Sequence, residues 1–238
     1  MKKGLIFKYM DISLNYVEKG KGIPLILLHG NGQSLSFFSR QMDAFARSYR
    51  VIAIDTRGHG KSPRGTALFS IEQFAEDLRA FMDEHQIPSA HILGYSDGGN
   101  IAIYFALEYP SRVRSLILNG ANIDPSGIKR SVFLPISWRY QIASFFSERS
   151  EYAYRRAEML RLMVEEPNIH PSALARLPME ALVIIGKRTK IREKHSRMIA
   201  AHIPRAELVI LKGNHFIARK RAEAFNTAVL DFLHYLDT

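Results

Sequence analysis

Ser96 stands in a segment whose residue types suit nucleophilic chemistry, Gly94-Tyr95-Ser96-Asp97-Gly98. The segment follows an apolar run and precedes an amphipathic one. Glycine on both sides permits a turn too tight for other residues, which leaves the serine hydroxyl exposed at the end of a strand. The N-terminus of the next helix adds the positive end of its dipole beneath a developing oxyanion. The spacing predicts a nucleophilic serine; the alternative is a glycine-rich structural turn.

A serine hydroxyl is a weak nucleophile until a base takes its proton, so a histidine has to reach the same edge of the sheet from another strand. His215 is the best candidate, because it follows the final apolar run of the chain. The remaining histidines outside the glycine-rich loops have no such setting, and surface or packing roles are expected for His85, His91, His170, His195, His202 and His234.

Short apolar runs alternate with helical patterns along most of the chain. The runs are continuous, as in parallel strands buried on both faces, and cover residues 24–28, 51–54, 91–93, 113–118, 181–185 and 207–211. Helices are predicted over 35–47, 71–86, 99–109, 191–202 and 219–236. Two short alternating runs, 5–9 and 13–18, predict an N-terminal hairpin. The fold class is therefore α/β, with a doubly wound, mostly parallel sheet whose strands' carboxyl ends form one ligand-binding rim.

The alternation stops between residues 125 and 177, where prolines punctuate helical stretches rich in aromatic residues. We expect a core of residues 1–124 and 178–238, with 125–177 forming a small helical cap over the carboxyl rim. Its aromatic side chains would either line an acyl pocket or pack the cap on the core.

These features together resemble the α/β-hydrolase superfamily over nearly the whole chain. The segment His29-Gly30-Asn31-Gly32 resembles the oxyanion loop of that family, and the segment from Asp55 to Ser62 resembles its loop after the next strand. The resemblance implies an oxyanion hole formed by the backbone N–H groups of Asn31 and Asp97, and it places His215 where the family has its catalytic histidine. It also implies structural roles for His29, His59 and Asp55.

The third member of the triad has two interpretations. The family usually has an acid shortly after the strand at 181–185, but that position here is Thr189, within a basic segment of residues 187–197. A neutral hydroxyl cannot stabilise an imidazolium as a carboxylate does. Either Asp124, after the preceding strand, supplies the carboxylate, or Asp124 only caps a turn before Pro125. In the second case the site is a Ser-His dyad or has lost hydrolytic competence.

Three functions remain open. The first is a serine hydrolase that acts on esters or related acyl compounds through an acyl-enzyme on Ser96. The second is a catalytically weak or inactive binding or receptor-like protein, suggested by Thr189. The third is C–C bond hydrolysis or cofactor-free perhydrolase chemistry on the same residues.

The composition of the chain indicates which kinds of ligand and partner to expect. The chain has 238 residues, no cysteine and no paired metal-ligand spacing, so neither a metal nor a cofactor is implied. The net charge of +10 is spread along the chain without an aromatic-basic repeat, which argues for a small-molecule substrate rather than nucleic acid. Lys8 and Asp11 interrupt the first apolar stretch, and no apolar run approaches the length of a membrane span. We expect no stable membrane insertion and a cytoplasmic location; the sequence leaves the oligomeric state open.

Overall fold

The computed structural model describes residues 11–237 of the chain. Its centre is a seven-stranded sheet with the strand order β1-β3-β2-β4-β5-β6-β7, parallel except for the antiparallel β1. The strands are β1 (Tyr16–Lys19), β2 (Pro24–Leu28), β3 (Arg50–Ile54), β4 (Ala90–Tyr95), β5 (Val113–Asn119), β6 (Glu180–Arg188) and β7 (Ala206–Asn214). The fold class predicted from the sequence is confirmed.

Each predicted apolar run forms a strand. β4 is buried at every position and β2 at all but its first, because helices cover both faces of the sheet. β1 is exposed throughout and lies at the edge beside β3. It corresponds to the predicted run 13–18, whereas the run 5–9 lies outside the described residues.

The helices are α1 (Met42–Phe45), α2 (Ile71–Glu84), α3 (Asp97–Glu108), α4 (Arg130–Phe145), α5 (Glu151–Val164), α6 (Glu193–His202), α7 (Ile217–Lys220) and α8 (Ala222–Asp237). The prediction of one helix over 35–47 was wrong, since this region forms a 3₁₀ turn, Leu35–Phe38, followed by the short α1. Two adjacent aromatic residues, Phe37 and Phe38, are both buried there. Nearby serines compete for backbone hydrogen bonds and weaken a regular helix.

The core has one layer on each face of the sheet. Helices α2, α3 and α6 pack on one face, and α1 and α8 pack on the other. The chain runs from β2 outward to β3 and then returns to β4 on the other side of β2. The carboxyl ends of β2 and β4 therefore flank the point where the strand order reverses, which is where such sheets bind ligands.

Helices α4 and α5 follow β5 and precede β6 along the chain, in the predicted cap region of residues 125–177. Helix α5 is tied to the core by polar contacts. Asn31 Nδ2 donates to the carbonyl of Met159 at 2.6 Å, Arg161 donates to the carbonyl of Phe69 at 2.6 Å, and Arg64 pairs with Glu158. These contacts place α5 next to the loop after β2.

Candidate active site

Ser96 occupies the turn between β4 and α3. Its backbone has φ of +52° and ψ of −119°, a conformation that non-glycine residues rarely adopt and that serves functional sites when its surroundings enforce it. The enforcement comes from close backbone packing: a Cβ at Gly94 would lie 2.2 Å from the carbonyl oxygen of Gly98, and one at Gly98 would lie 2.1 Å from that of Leu28. Only glycine fits at either position, as the sequence predicts.

The loop after β2 lies directly beside this turn. A Cβ at Gly30 would be 3.1 Å from Ser96 Cβ, so the segment containing Asn31 borders the predicted nucleophile. Asp97 is the first residue of α3, where a backbone N–H has no partner within its own helix. Within residues 11–237, the backbone N–H groups of Asn31 and Asp97 donate to no protein acceptor. Both are therefore free to bind an oxyanion.

His215 follows β7 and packs against the residue before Ser96. Its ring centroid is 5.1 Å from that of Tyr95, and a Cβ at Gly120 would lie 2.9 Å from the ring. Only 5% of His215 is exposed. The fold thus brings the predicted base to the end of the sheet that carries Ser96.

Thr189 is the partner of this histidine. Its hydroxyl oxygen lies 2.8 Å from His215 Nδ1, and 4% of the residue is exposed. Burial, reinforced by the positive charge of Lys190, lowers the pKa of His215 to about 3. The imidazole is therefore neutral at pH 7, with no carboxylate on Nδ1 to stabilise the protonated form.

The structure does not bring Asp124 to His215. The carboxylate of Asp124 caps the turn Pro125–Gly127 by accepting from the N–H of Ser126 at 2.8 Å, and its other oxygen lies 3.9 Å from Nδ1 of His195. His195 in turn accepts from the N–H of Ile123 at 3.1 Å, which holds this turn against α6. Of the two interpretations of Asp124, the geometry supports the capping role, because the chain turns toward α6 after β5.

Polar residues of the glycine-rich loops form hydrogen bonds that hold these loops together. His29 has Nδ1 2.8 Å from the carbonyl of Gly30 and accepts from the N–H of Thr56 at 3.1 Å, and burial lowers its pKa to about 4. Asp55 accepts from the N–H groups of Leu35 and Lys61 at 2.7 and 2.9 Å. These contacts fit the structural roles implied by the family resemblance.

A buried carboxyl at Asp97 was not anticipated. The residue is 6% exposed, its Oδ2 has no hydrogen-bond partner within the described residues, and burial raises its pKa to about 7. The amide of Asn31 acts in the opposite direction on this pKa and also binds the carbonyl of Met159 in α5. The sequence shows an acid at this position but gives no signal for its burial, because the loop after β2, which approaches this turn at Gly98, is distant in the chain.

Among the residues that the structure describes, no group of three or more histidine and carboxylate side chains is arranged to hold a metal ion.

Comparison with known proteins identifies the family to which the fold belongs. The family described as alpha/beta hydrolase fold matches residues 23–166. Two curated enzymes are similar over most of their length. The 3-oxoadipate enol-lactonase 2 of Acinetobacter baylyi is 26% identical, and the alignment covers 92% of each chain. The 2-hydroxymuconate semialdehyde hydrolase of a Pseudomonas species is 27% identical, and the alignment covers 95% of this chain and 92% of that enzyme. The chain belongs to the α/β-hydrolase family and is an enzyme of the hydrolase class.

A solved structure supports the same conclusion. The meta-cleavage product hydrolase of Pseudomonas fluorescens IP01 superposes with a TM-score of 0.78 at 26% identity, over 94% of this chain and 95% of that one. The relatives thus hydrolyse chemically different bonds on one fold, so the substrate has to be inferred from this chain's own site.

Proposed function

We propose that the protein is a serine hydrolase of esters or related acyl compounds that forms an acyl-enzyme on Ser96. The observation that carries this proposal is the enforced positive φ of Ser96 at the strand-to-helix turn. A side chain held in this conformation projects from the end of the sheet rather than into its core, which is what a nucleophile requires.

In the proposed mechanism, the hydroxyl oxygen of Ser96 attacks the acyl carbonyl while His215 Nε2 accepts the hydroxyl proton. The N–H groups of Asn31 and Asp97 stabilise the resulting oxyanion, and each such donor is worth roughly 10²–10³ in rate. Collapse of the tetrahedral intermediate breaks the bond to the leaving group, which takes the proton from His215. A water molecule then attacks the acyl-enzyme with the same base, releasing the acid and regenerating Ser96.

Thr189 acts as a positioning residue in this scheme. For His215 Nε2 to serve as the base, Nδ1 has to carry the hydrogen and donate it to Thr189 Oγ1. A carboxylate can only accept at this position, whereas a hydroxyl also donates and so permits the unproductive tautomer. We therefore infer slower turnover than a full triad gives.

The substrate class follows from the burial of the site and from the relatives. Asp97 and His215 are both nearly inaccessible, so a small acyl compound fits better than a polymer. The relative named enol-lactonase acts, by its name, on a cyclic enol ester. Esters and lactones with good leaving groups are the compounds to assay first, because a weak base activates the serine poorly and an activated acyl group compensates for this.

The test is to trap the acyl group. The protein is mixed with p-nitrophenyl acetate, p-nitrophenolate release is followed, and the acylated peptide is identified by mass spectrometry after acid quench. We expect a burst of product and an acetyl group on Ser96. Ser96→Ala abolishes both, while Ser172→Ala, which removes an exposed serine of the cap region, changes neither. An adduct that persists in Ser96→Ala would disprove the assignment.

A second candidate is a receptor-like protein that binds an acyl ligand in the hydrolase pocket and turns it over very slowly. The specific observation in its favour is the pair of Thr189 and a His215 whose pKa is about 3. It predicts saturable binding without a burst in the same experiment, and no adduct with a serine-reactive phosphonate.

The cytoplasmic location and small-molecule partner inferred from the sequence remain proposals. No helix within residues 11–237 combines the length and apolar character needed to cross a membrane. Fractionation of cells expressing the native gene is the measurement that tests the location.

A further inference from the structure

The outer face of α4 carries an unusual row of apolar side chains. Leu134, Trp138, Ile142 and Phe145 follow one another at steps of four, four and three residues, which places them on one side of the helix. They are 51%, 65%, 41% and 71% exposed. This apolar row therefore faces solvent instead of the protein core.

Helix α5 and the turn before it extend this surface. Phe146 and Tyr152 are also exposed, and they line, together with Ile142, an apolar cleft of about 330 Å³ between the two helices. We call the combined surface the cap patch, consisting of Leu134, Trp138, Ile142, Phe145, Phe146 and Tyr152. Contiguous exposed apolar surface of this kind marks an interaction site on a soluble protein.

Arginines surround the cap patch without acidic partners. Arg139 and Arg156 line the same cleft, and Arg149 lies on the exposed turn between the helices. None of the three forms an ion pair with a carboxylate of residues 11–237. By contrast, Arg64 and Arg161, on the side facing the core, pair with Glu158 and Glu166. The outward arginines are therefore available to an external anion.

We propose that the cap patch docks on the surface of a lipid bilayer that contains anionic lipids. Tryptophan, phenylalanine and leucine on one helix face, with arginines beside them, suit the boundary between headgroups and acyl chains. The arginines would meet lipid phosphates while the aromatic rings enter the interface. The association is peripheral, since the patch lies on the surface of helices packed on a folded core.

Charge complementarity favours a membrane over a second copy of the chain as the occupant. Pairing two cap patches would bring their arginines together, and each chain carries a net charge of +10. An anionic surface satisfies the same arginines. The apolar side chains would contribute to binding either a membrane or a second copy of the chain. The electrostatic interaction of the arginines therefore distinguishes the two occupants.

Trp138 provides a direct probe because it is the only tryptophan of the chain. The intact protein is titrated with vesicles of phosphatidylcholine alone or mixed with phosphatidylglycerol, and its intrinsic fluorescence is recorded. We expect a blue shift and quenching by brominated acyl chains with the anionic vesicles only. Binding weakens as salt rises, because salt screens the arginine-phosphate attraction.

Substitutions separate the charge from the apolar contribution. Arg139→Gln and Arg156→Gln each lower the vesicle partition coefficient about fivefold, the effect of one basic residue near an anionic surface. The control Arg47→Gln removes an exposed arginine before β3, at the opposite end of the sheet, and leaves partitioning unchanged. Tyr152→Ser weakens binding, whereas Tyr235→Ser, at an 81% exposed tyrosine of α8, does not.

Three results would overturn the proposal: no blue shift with anionic vesicles, equal binding to phosphatidylcholine alone, or an equal loss of binding in Arg47→Gln. A concentration-dependent dimer that Phe145→Asp dissociates would assign the patch to a second copy instead. Because Ser96→Ala leaves the cap intact, its vesicle binding equals that of the unmodified protein, and the outcome is independent of the hydrolase assays.

Discussion

The hydroxyl of Thr189 lies 2.8 Å from Nδ1 of His215, at the position where a carboxylate would hold the base of a serine triad. Both residues are buried, so water does not stabilise a protonated His215 in place of the missing carboxylate. Removing the acid from a serine triad costs about 10⁴ in turnover. In the proposed mechanism, the activity therefore depends on how well a neutral hydroxyl orients the histidine.

Thr189→Asp is expected to raise kcat for an activated ester by about a hundredfold or more, with KM little changed, because the carboxylate fixes the tautomer and stabilises the imidazolium. Thr189→Val keeps the shape of the side chain without its hydroxyl and should lower kcat. Steady-state kinetics on p-nitrophenyl esters gives both values. If kcat falls equally in Thr189→Asp and Thr189→Val while the circular dichroism spectrum stays native, the hydroxyl does not position the base.

The pH dependence should be unusual. A base works only when neutral, and the lowered pKa of His215, about 3, keeps it neutral far below the ordinary range of histidine. We expect kcat/KM to stay level from pH 8 down to about 5 instead of declining below the ordinary histidine pKa of about 6.5. Thr189→Asp raises that pKa and moves the acid limb upward. A limb near pH 6.5 in the unmodified protein would contradict the buried, carboxylate-free setting.

Asp124→Asn should leave turnover within about twofold of the unmodified enzyme, the range of a surface substitution that keeps its contacts. The asparagine oxygen can still accept from the N–H of Ser126, and the hydrogen-bond partner of His215 is Thr189. The same ester assay measures it. A loss of two orders of magnitude would mean that Asp124 reaches His215 during turnover.

Asp97 should make the fold less stable as pH rises. Its pKa is raised from 3.8 to about 7, so between these values the folded protein binds more protons than the unfolded chain, and the free energy of unfolding falls with increasing pH. The limiting slope is about 1.4 kcal/mol per pH unit for one group. Urea denaturation from pH 4.5 to 8 measures it.

Asp97→Asn isolates this contribution. The difference in the free energy of unfolding between Asp97→Asn and the unmodified protein should grow across that interval and level off above pH 7. Asp231→Asn, at an exposed carboxylate of α8, should produce no such trend. A constant difference for Asp97→Asn would mean that its carboxyl titrates normally.

The sequence by itself determined the sheet and the local geometry of the elbow. Continuous apolar runs define strands buried on both faces, and Gly94 defines a tight turn because a side chain there would collide with the nearby carbonyl of Gly98. Gly98 was identified from the same spacing, although its close contact is with Leu28 in a distant strand. The sequence also placed Thr189 at the expected acid position. Its prediction failed at residues 35–47, where adjacent buried aromatic residues interrupt a helical pattern.

Only the tertiary structure decided which side chains meet. Asp124 and Thr189 both follow strands that end beside the site, yet one contacts His195 and the other His215, and the difference arises from the path of each loop after its strand. The burial of Asp97 and the exposure of Trp138 on α4 also depend on how segments distant in the chain pack. Contacts between residues distant in the chain depend on packing, which local residue patterns do not encode.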